Sequence, residues 1–178
     1  GTKIGMGWPE RVDIIKWINR ILLWEPNARI VLHGVSMGAA TVLMASGEDL
    51  PGNVKAVIAD CGYTSEWDEF QREADTLHIP WFPVLNATSV LSKIRDGYDF
   101  KQASALAQVK KSRIPTLFIH GSSDELVPYS MLGELYAAAA CEKEELTVEG
   151  AGHALSSSVA PTLYWRTVED FIAKYLDR

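Results

Sequence analysis

The stretch Ala28-Arg29-Ile30-Val31-Leu32-His33-Gly34-Val35-Ser36-Met37-Gly38-Ala39 decides the fold. Its first five residues, 28–32, form a short apolar run that reads as a buried strand. Gly34-Val35-Ser36-Met37-Gly38 then makes a G-x-S-x-G turn within residues 33–38. Residues 37–46 are small and apolar enough to form a buried helix, closed by Gly47. Strand, serine-bearing turn and helix in that order are the context in which this pattern builds a nucleophile elbow. The serine there takes a strained backbone conformation with its hydroxyl above the sheet. Glycines two positions to either side are expected to remove Cβ atoms that would clash. The helix that follows points its N-terminus at the site, which favours developing negative charge. Ser36 is thus the candidate nucleophile, and the backbone N–H of Met37 a candidate oxyanion donor.

Upstream, Trp8, Val12, Ile15, Ile18 and Leu22 recur at helical spacing, and the pattern predicts a helix over residues 8–24. Pro9 suits its first turn, and Glu25-Pro26-Asn27 stops it. Downstream, a second strand over 54–59 follows the turn signal Pro51-Gly52-Asn53. A third strand over 116–119 follows Pro115, and a fourth covers 145–148. Helices are expected over 130–141 and 162–176, the last with Leu163, Val168, Phe171, Ile172 and Tyr175 on its apolar side. Strands alternating with helices imply right-handed crossovers and a parallel sheet with flanking helices, an α/β fold. Residues 66–113 are richer in aromatics and charges, with Pro80 and Pro83 expected to break any long element into short helices. An insert of that length is of the kind that forms lids or binding elements.

The chain has 178 residues, 47% of them hydrophobic and 22% charged, which suits one catalytic domain over 1–178 with the insert inside it. The net charge of −6 and the lack of a basic stripe argue against nucleic acid as a partner. Lys110-Lys111-Ser112-Arg113 reads as a solvated loop. No run has the length of a membrane span. The two cysteines, Cys61 and Cys141, are too few for a disulfide framework and have no metal-type spacing, so neither metal nor cofactor is expected. The compartment stays open: cytoplasmic, or extracytoplasmic and membrane-anchored through an anchor in a preceding segment. The oligomeric state is equally open.

A serine hydroxyl is a poor nucleophile without a base. In this fold the chain order is serine, acid, histidine. Asp124 follows the third strand in His120-Gly121-Ser122-Ser123-Asp124, and His153 follows the fourth in Glu149-Gly150-Ala151-Gly152-His153. Ser36, Asp124 and His153 therefore each stand just past the C-terminal end of a parallel strand, the edge where open α/β sheets place their sites. His153 would take the Ser36 proton, and Asp124 would fix the imidazole tautomer. The rate should then fall as the base becomes protonated. Asp60, at the end of the second strand, is the rival acid. His33 and His120, at strand ends, read as packed, hydrogen-bonded supports, and His78 as a surface residue.

On these segments, together with Ile58-Ala59-Asp60-Cys61-Gly62-Tyr63, the chain resembles the α/β-hydrolase superfamily. It is most similar to the bacterial branch of esterase-like and serine-aminopeptidase-like hydrolases. The resemblance implies a site between the sheet edge and a helical lid, with residues 66–113 in the lid position. Tyr63, Trp67, Phe70, Trp81 and Phe82 could line an apolar acyl pocket or pack the lid, and Leu126 and Val127 could face the same pocket. The partner implied is a small ester or acyl substrate of apolar character. Hydrolysis of carboxylic esters through an acyl-Ser36 intermediate is the first expectation. Thioesterase, acyltransferase and peptidase chemistry use the same triad, and a catalytically silent binding or scaffold protein is the alternative of another class.

The family has several strands before the nucleophile, and here only a helix precedes residues 28–32. Its second oxyanion donor comes from an early His-Gly type loop, which nothing before Ser36 matches. Gly1 to Gly7 looks like the loop leading into the first helix. The early strands are therefore expected to be missing. Strand 28–32, with Ile30, Val31 and Leu32 buried on both faces, should stand at one end of four strands in chain order. The isolated chain should then associate through that edge. It should also lose the roughly 10² to 10³ in rate that one oxyanion donor supplies.

Overall fold

A computed structural model describes residues 4–176. Of the opening loop, residues 1–3 therefore lie outside the described residues. Four strands, β1 (Ile30–Val35), β2 (Val54–Asp60), β3 (Thr116–Gly121) and β4 (Lys143–Val148), pair in parallel in the order β1-β2-β3-β4. The helices are α1 (Glu10–Trp24), α2 (Met37–Ser46), α3 (Glu66–Thr76), α4 (Trp81–Asp96), α5 (Ala105–Val109), α6 (Ser130–Ala138), α7 (Ser156–Val159) and α8 (Pro161–Leu176).

The period of two along a strand sends alternate side chains to opposite layers. In β2, Val57 and Ala59 face a core built with Ile18, Leu43, Val109 and Leu135 from α1, α2, α5 and α6. Ala56 and Ile58 face the other core, where Tyr164, Val168, Phe171 and Tyr175 of α8 pack on Leu117 and Ile119. The result is a three-layer α/β fold with every residue of β3 buried.

Three expectations need correction. β1 buries one face fully and the other only in part: Ile30 and Leu32 are buried, Val31 is half-buried against the α8 core, and His33 and Val35 are exposed. The cause is its place at the sheet edge, where β2 is its only strand partner among the described residues. On α8 the buried residue of the first turn is Tyr164, and Leu163 is half exposed, because Tyr164 continues the 4-3-4 spacing of Val168, Phe171 and Tyr175. The insert holds a helix longer than expected, although the break falls where the prolines stand, since the long helical run of α4 begins past a kink at Phe82. Pro80 caps α4 and Pro83 stands in its first turn, where no N–H needs an intrahelical acceptor; the adjustment falls on Phe82 (φ −96°, ψ 130°).

Candidate active site

Ser36 connects the end of β1 to α2 with φ 56° and ψ −121°. A positive φ is costly for a residue with a side chain and marks a site the surrounding fold over-determines. The turn is held from β2, since the Ser36 N–H donates to the Asp60 carbonyl at 2.8 Å. Gly34 is required by close approach: a Cβ there would run into the Gly38 carbonyl and the Ala39 amide. Gly38 differs from expectation, because a Cβ at that position would meet open space. Only one of the two motif glycines is sterically demanded.

Met37 opens α2, so its N–H belongs to the helix turn that has no intrahelical acceptors. Its carbonyl accepts from the Thr41 hydroxyl at 2.7 Å, which steadies that turn.

The three sequence-selected residues form one hydrogen-bonded line. Ser36 Oγ lies 2.7 Å from His153 Nε2, and His153 Nδ1 lies 2.9 Å from an Asp124 carboxylate oxygen, Oδ2. A carboxylate only accepts, so Nδ1 carries the proton and Nε2 is left free to accept from the serine hydroxyl. Asp124 is held from several directions. Its other oxygen, Oδ1, accepts from the N–H groups of Leu126 (3.0 Å) and Val127 (2.9 Å). His120, buried beneath, places Nε2 3.2 Å from Asp124 Oδ2 and 3.0 Å from the Val127 carbonyl. The two loops meet because Gly121 packs directly on Ala151, where any side chain would strike the Ala151 carbonyl.

Asp60, the rival acid, is turned elsewhere: its carboxylate accepts from Ser156 Oγ at 3.1 Å. His33 is hydrogen-bonded to the Tyr164 hydroxyl at 3.0 Å but is an exposed residue, less packed than expected. His78 is exposed, as the sequence suggests. Cys61 stands beside the line, and its thiol, Asp124 and His153 offer ligand atoms within 4.8 Å of one another. Burial pushes that thiol up to about 12, and both Asp124 oxygens are already taken by N–H donors, so the donor set suits hydrogen bonding better than a metal.

The residues put forward for a pocket separate. Tyr63 and Val127, each 2% exposed, are core residues, drawn inward by packing with Tyr98 and Leu132. The Tyr63 hydroxyl spends itself on the Met6 carbonyl at 2.7 Å. Phe70 and Trp81 line an apolar cavity of about 270 Å³ between α3 and α4, with Leu77, Leu85 and Phe100. Phe82 is 67% exposed at the α4 kink and does not line that cavity. The Trp67 ring is covered by the Lys101 ammonium 4.4 Å above it, and Leu126 is half exposed beside Asp124. Sequence reasoning missed the backbone role of Leu126 and Val127, although an aspartate two residues before an N–H pair is an Asx-turn signal. It also missed Ser156, which nothing in its local pattern connects to Asp60.

Sheet order, elbow and hydrogen-bonded line together define an α/β-hydrolase fold. The chain belongs to the prolyl oligopeptidase family, whose model matches residues 10–178. It is 31% identical to the Bacillus subtilis protein YqkD over 177 residues, covering 97% of this chain and 57% of that protein. It is 30% identical over 156 residues to the α/β-hydrolase domain-containing protein WAV2 of Arabidopsis thaliana, covering 84% of this chain and 48% of that protein. The chain thus spans about half the length of these two relatives. Among solved structures it resembles the acylaminoacyl peptidase of Pyrococcus horikoshii (TM-score 0.74, 19% identity, 97% of this chain and 29% of that one). It also resembles the esterase Pf2001 of Pyrococcus furiosus (TM-score 0.72, 19% identity, 99% and 66%). At that identity the likeness is one of fold. Among the described residues no helix is long and apolar enough to cross a membrane.

Proposed function

We propose that this chain carries the catalytic triad of a serine hydrolase, Ser36, His153 and Asp124, and cleaves carboxylic esters through an acyl-Ser36 intermediate. The observation that carries the reading is the line from Ser36 Oγ through His153 to Asp124, at 2.7 and 2.9 Å. His153 Nε2 accepts the Ser36 proton as Oγ attacks the acyl carbon, and the same proton passes to the leaving group when the tetrahedral intermediate collapses. Asp124 stabilises the imidazolium in between without taking the proton. The Met37 N–H supports the oxyanion. Water then attacks the acyl-enzyme by the reverse sequence, with His153 again as base. The substrate is a small apolar ester or acyl compound, with residues 66–113 as a lid beside the site. Trp67 and Leu126 remain candidates for its wall.

Ser36→Ala and His153→Ala should each lower turnover of a short-chain p-nitrophenyl ester by about 10³-fold or more, leaving the residue that binding and the oxyanion hole supply. Near-normal turnover in either variant would refute the mechanism.

A second reading, amide or peptide cleavage, is favoured by the match to the prolyl oligopeptidase family. Comparing kcat/KM for the p-nitrophenyl ester with that for aminoacyl p-nitroanilides separates the two. Ser36-dependent turnover of the anilides supports the peptidase, and turnover confined to the ester supports esterase action, since nitrophenolate is the better leaving group for either enzyme.

A further inference from the structure

We propose that Asp60 is a positioning residue, which ties the backbone of the nucleophile to the loop that carries the catalytic histidine. The proposal rests on the serine-hydrolase reading above. Asp60 ends β2 next to the elbow, and its main-chain carbonyl accepts the Ser36 N–H at 2.8 Å. Its side chain reaches the other way. One carboxylate oxygen accepts from Ser156 Oγ at 3.1 Å, and Ser156 is fully buried. The Tyr164 hydroxyl of α8, on the same side of the sheet, is hydrogen-bonded to His33 Nε2 at 3.0 Å.

Ser156 is three residues past His153, and the chain between them has little slack. Ala154 has φ 58°, and the Leu155 N–H donates to the Gly152 carbonyl at 3.1 Å, closing a turn around His153. Ser156 then begins α7, which packs on α8. A shift of the Ser156 anchor is thus passed to the imidazole, whose 2.7 Å contact with Ser36 depends on it. Asp60 itself is 1% exposed. Burying a carboxylate against a neutral hydroxyl is costly, and an apolar residue would serve packing alone more cheaply. A carboxylate there does what an apolar residue cannot: it accepts from Ser156 and fixes that residue against β2. Its partners differ from those of Asp124, so Asp60 does not substitute for the acid at His153 Nδ1.

The test uses the full-length protein and begins with the unsubstituted form. If that form neither hydrolyses a p-nitrophenyl ester nor reacts at Ser36 with a fluorophosphonate, the serine-hydrolase reading fails. The NMR resonance of the proton on His153 Nδ1 still reads the positioning. Ser156→Ala removes only the hydroxyl that Asp60 holds. It should lower kcat about 10-fold to 100-fold, leave KM within about twofold, and broaden or shift that resonance. Asp60→Asn keeps an acceptor for Ser156 and should recover most of the rate, whereas Asp60→Ala should not. Unsubstituted kcat and an unmoved resonance in Ser156→Ala would overturn the proposal. So would a loss of kcat that follows a loss of thermal stability while the resonance stays unchanged.

Discussion

At Glu66 the chain holds a carboxyl where solvent cannot reach it. It is 2% exposed at the start of α3, one of its oxygens has no hydrogen-bond partner, and Glu10 adds like charge nearby. Burial, only partly offset by the Tyr98 hydroxyl, pushes this group up to about 8. Between the ordinary glutamate value and about 8, the folded chain keeps a proton that the unfolded chain has released. Stability contributed by Glu66 is therefore full below that window and falls as pH rises through it. Denaturant titrations should show Glu66→Gln gaining on the unsubstituted chain between about pH 5 and about pH 9, by about 1 kcal/mol or more. A difference that does not change with pH would show that the carboxyl is better solvated than its burial implies. Gly121 makes a second prediction. Any side chain there would drive the Asp124 and His153 loops apart at Ala151. Gly121→Ala should cost about 1 to 3 kcal/mol of stability and about 10²-fold in turnover. Activity at the unsubstituted level would mean that the loops can part without moving the line from Ser36 to Asp124.

Among the elements, α8 carries one whole layer, and Phe171 at its centre is fully buried against Tyr175 and the β3 side chains. Phe171→Ala should cost about 3 to 5 kcal/mol, read from the denaturation midpoint. A cost below about 1 kcal/mol would place the weight of that layer elsewhere. The same helix shows what the sequence makes legible. Val168, Phe171 and Tyr175 declare its inner face by spacing, but only the sheet decides that Tyr164 and not Leu163 completes it. The parallel order of four strands, the elbow at Ser36, and the strand-end positions of Asp124 and His153 can all be read from runs, glycines and chain order. What Asp60 touches cannot, because Ser156 reaches it from 96 residues away in the chain. The aromatic residues 63, 67, 70, 81 and 82 were equally opaque. Composition marks them as apolar, whereas helix phase and the kink at Phe82 decide which turn inward.

For the whole molecule, β1 is an edge strand among the described residues, and Trp17, Leu23, Trp24, Val35 and Trp165 are exposed around the fold. An unpaired edge beside apolar surface invites association. Light scattering on this chain alone should show a dimer or larger species, and a monomer at tens of micromolar would contradict that expectation. The central claim is that Ser36 is a nucleophile activated by His153 and held by the Asp124 end of the same line. The most direct measurement is peptide mapping by mass spectrometry after reaction with a fluorophosphonate probe, on the unsubstituted chain and on His153→Ala. Adduct on the peptide containing Ser36, forming much more slowly or not at all in His153→Ala, is the expected result. No adduct at Ser36, or equal labelling in both proteins, would contradict the assignment of Ser36 and His153 as nucleophile and base.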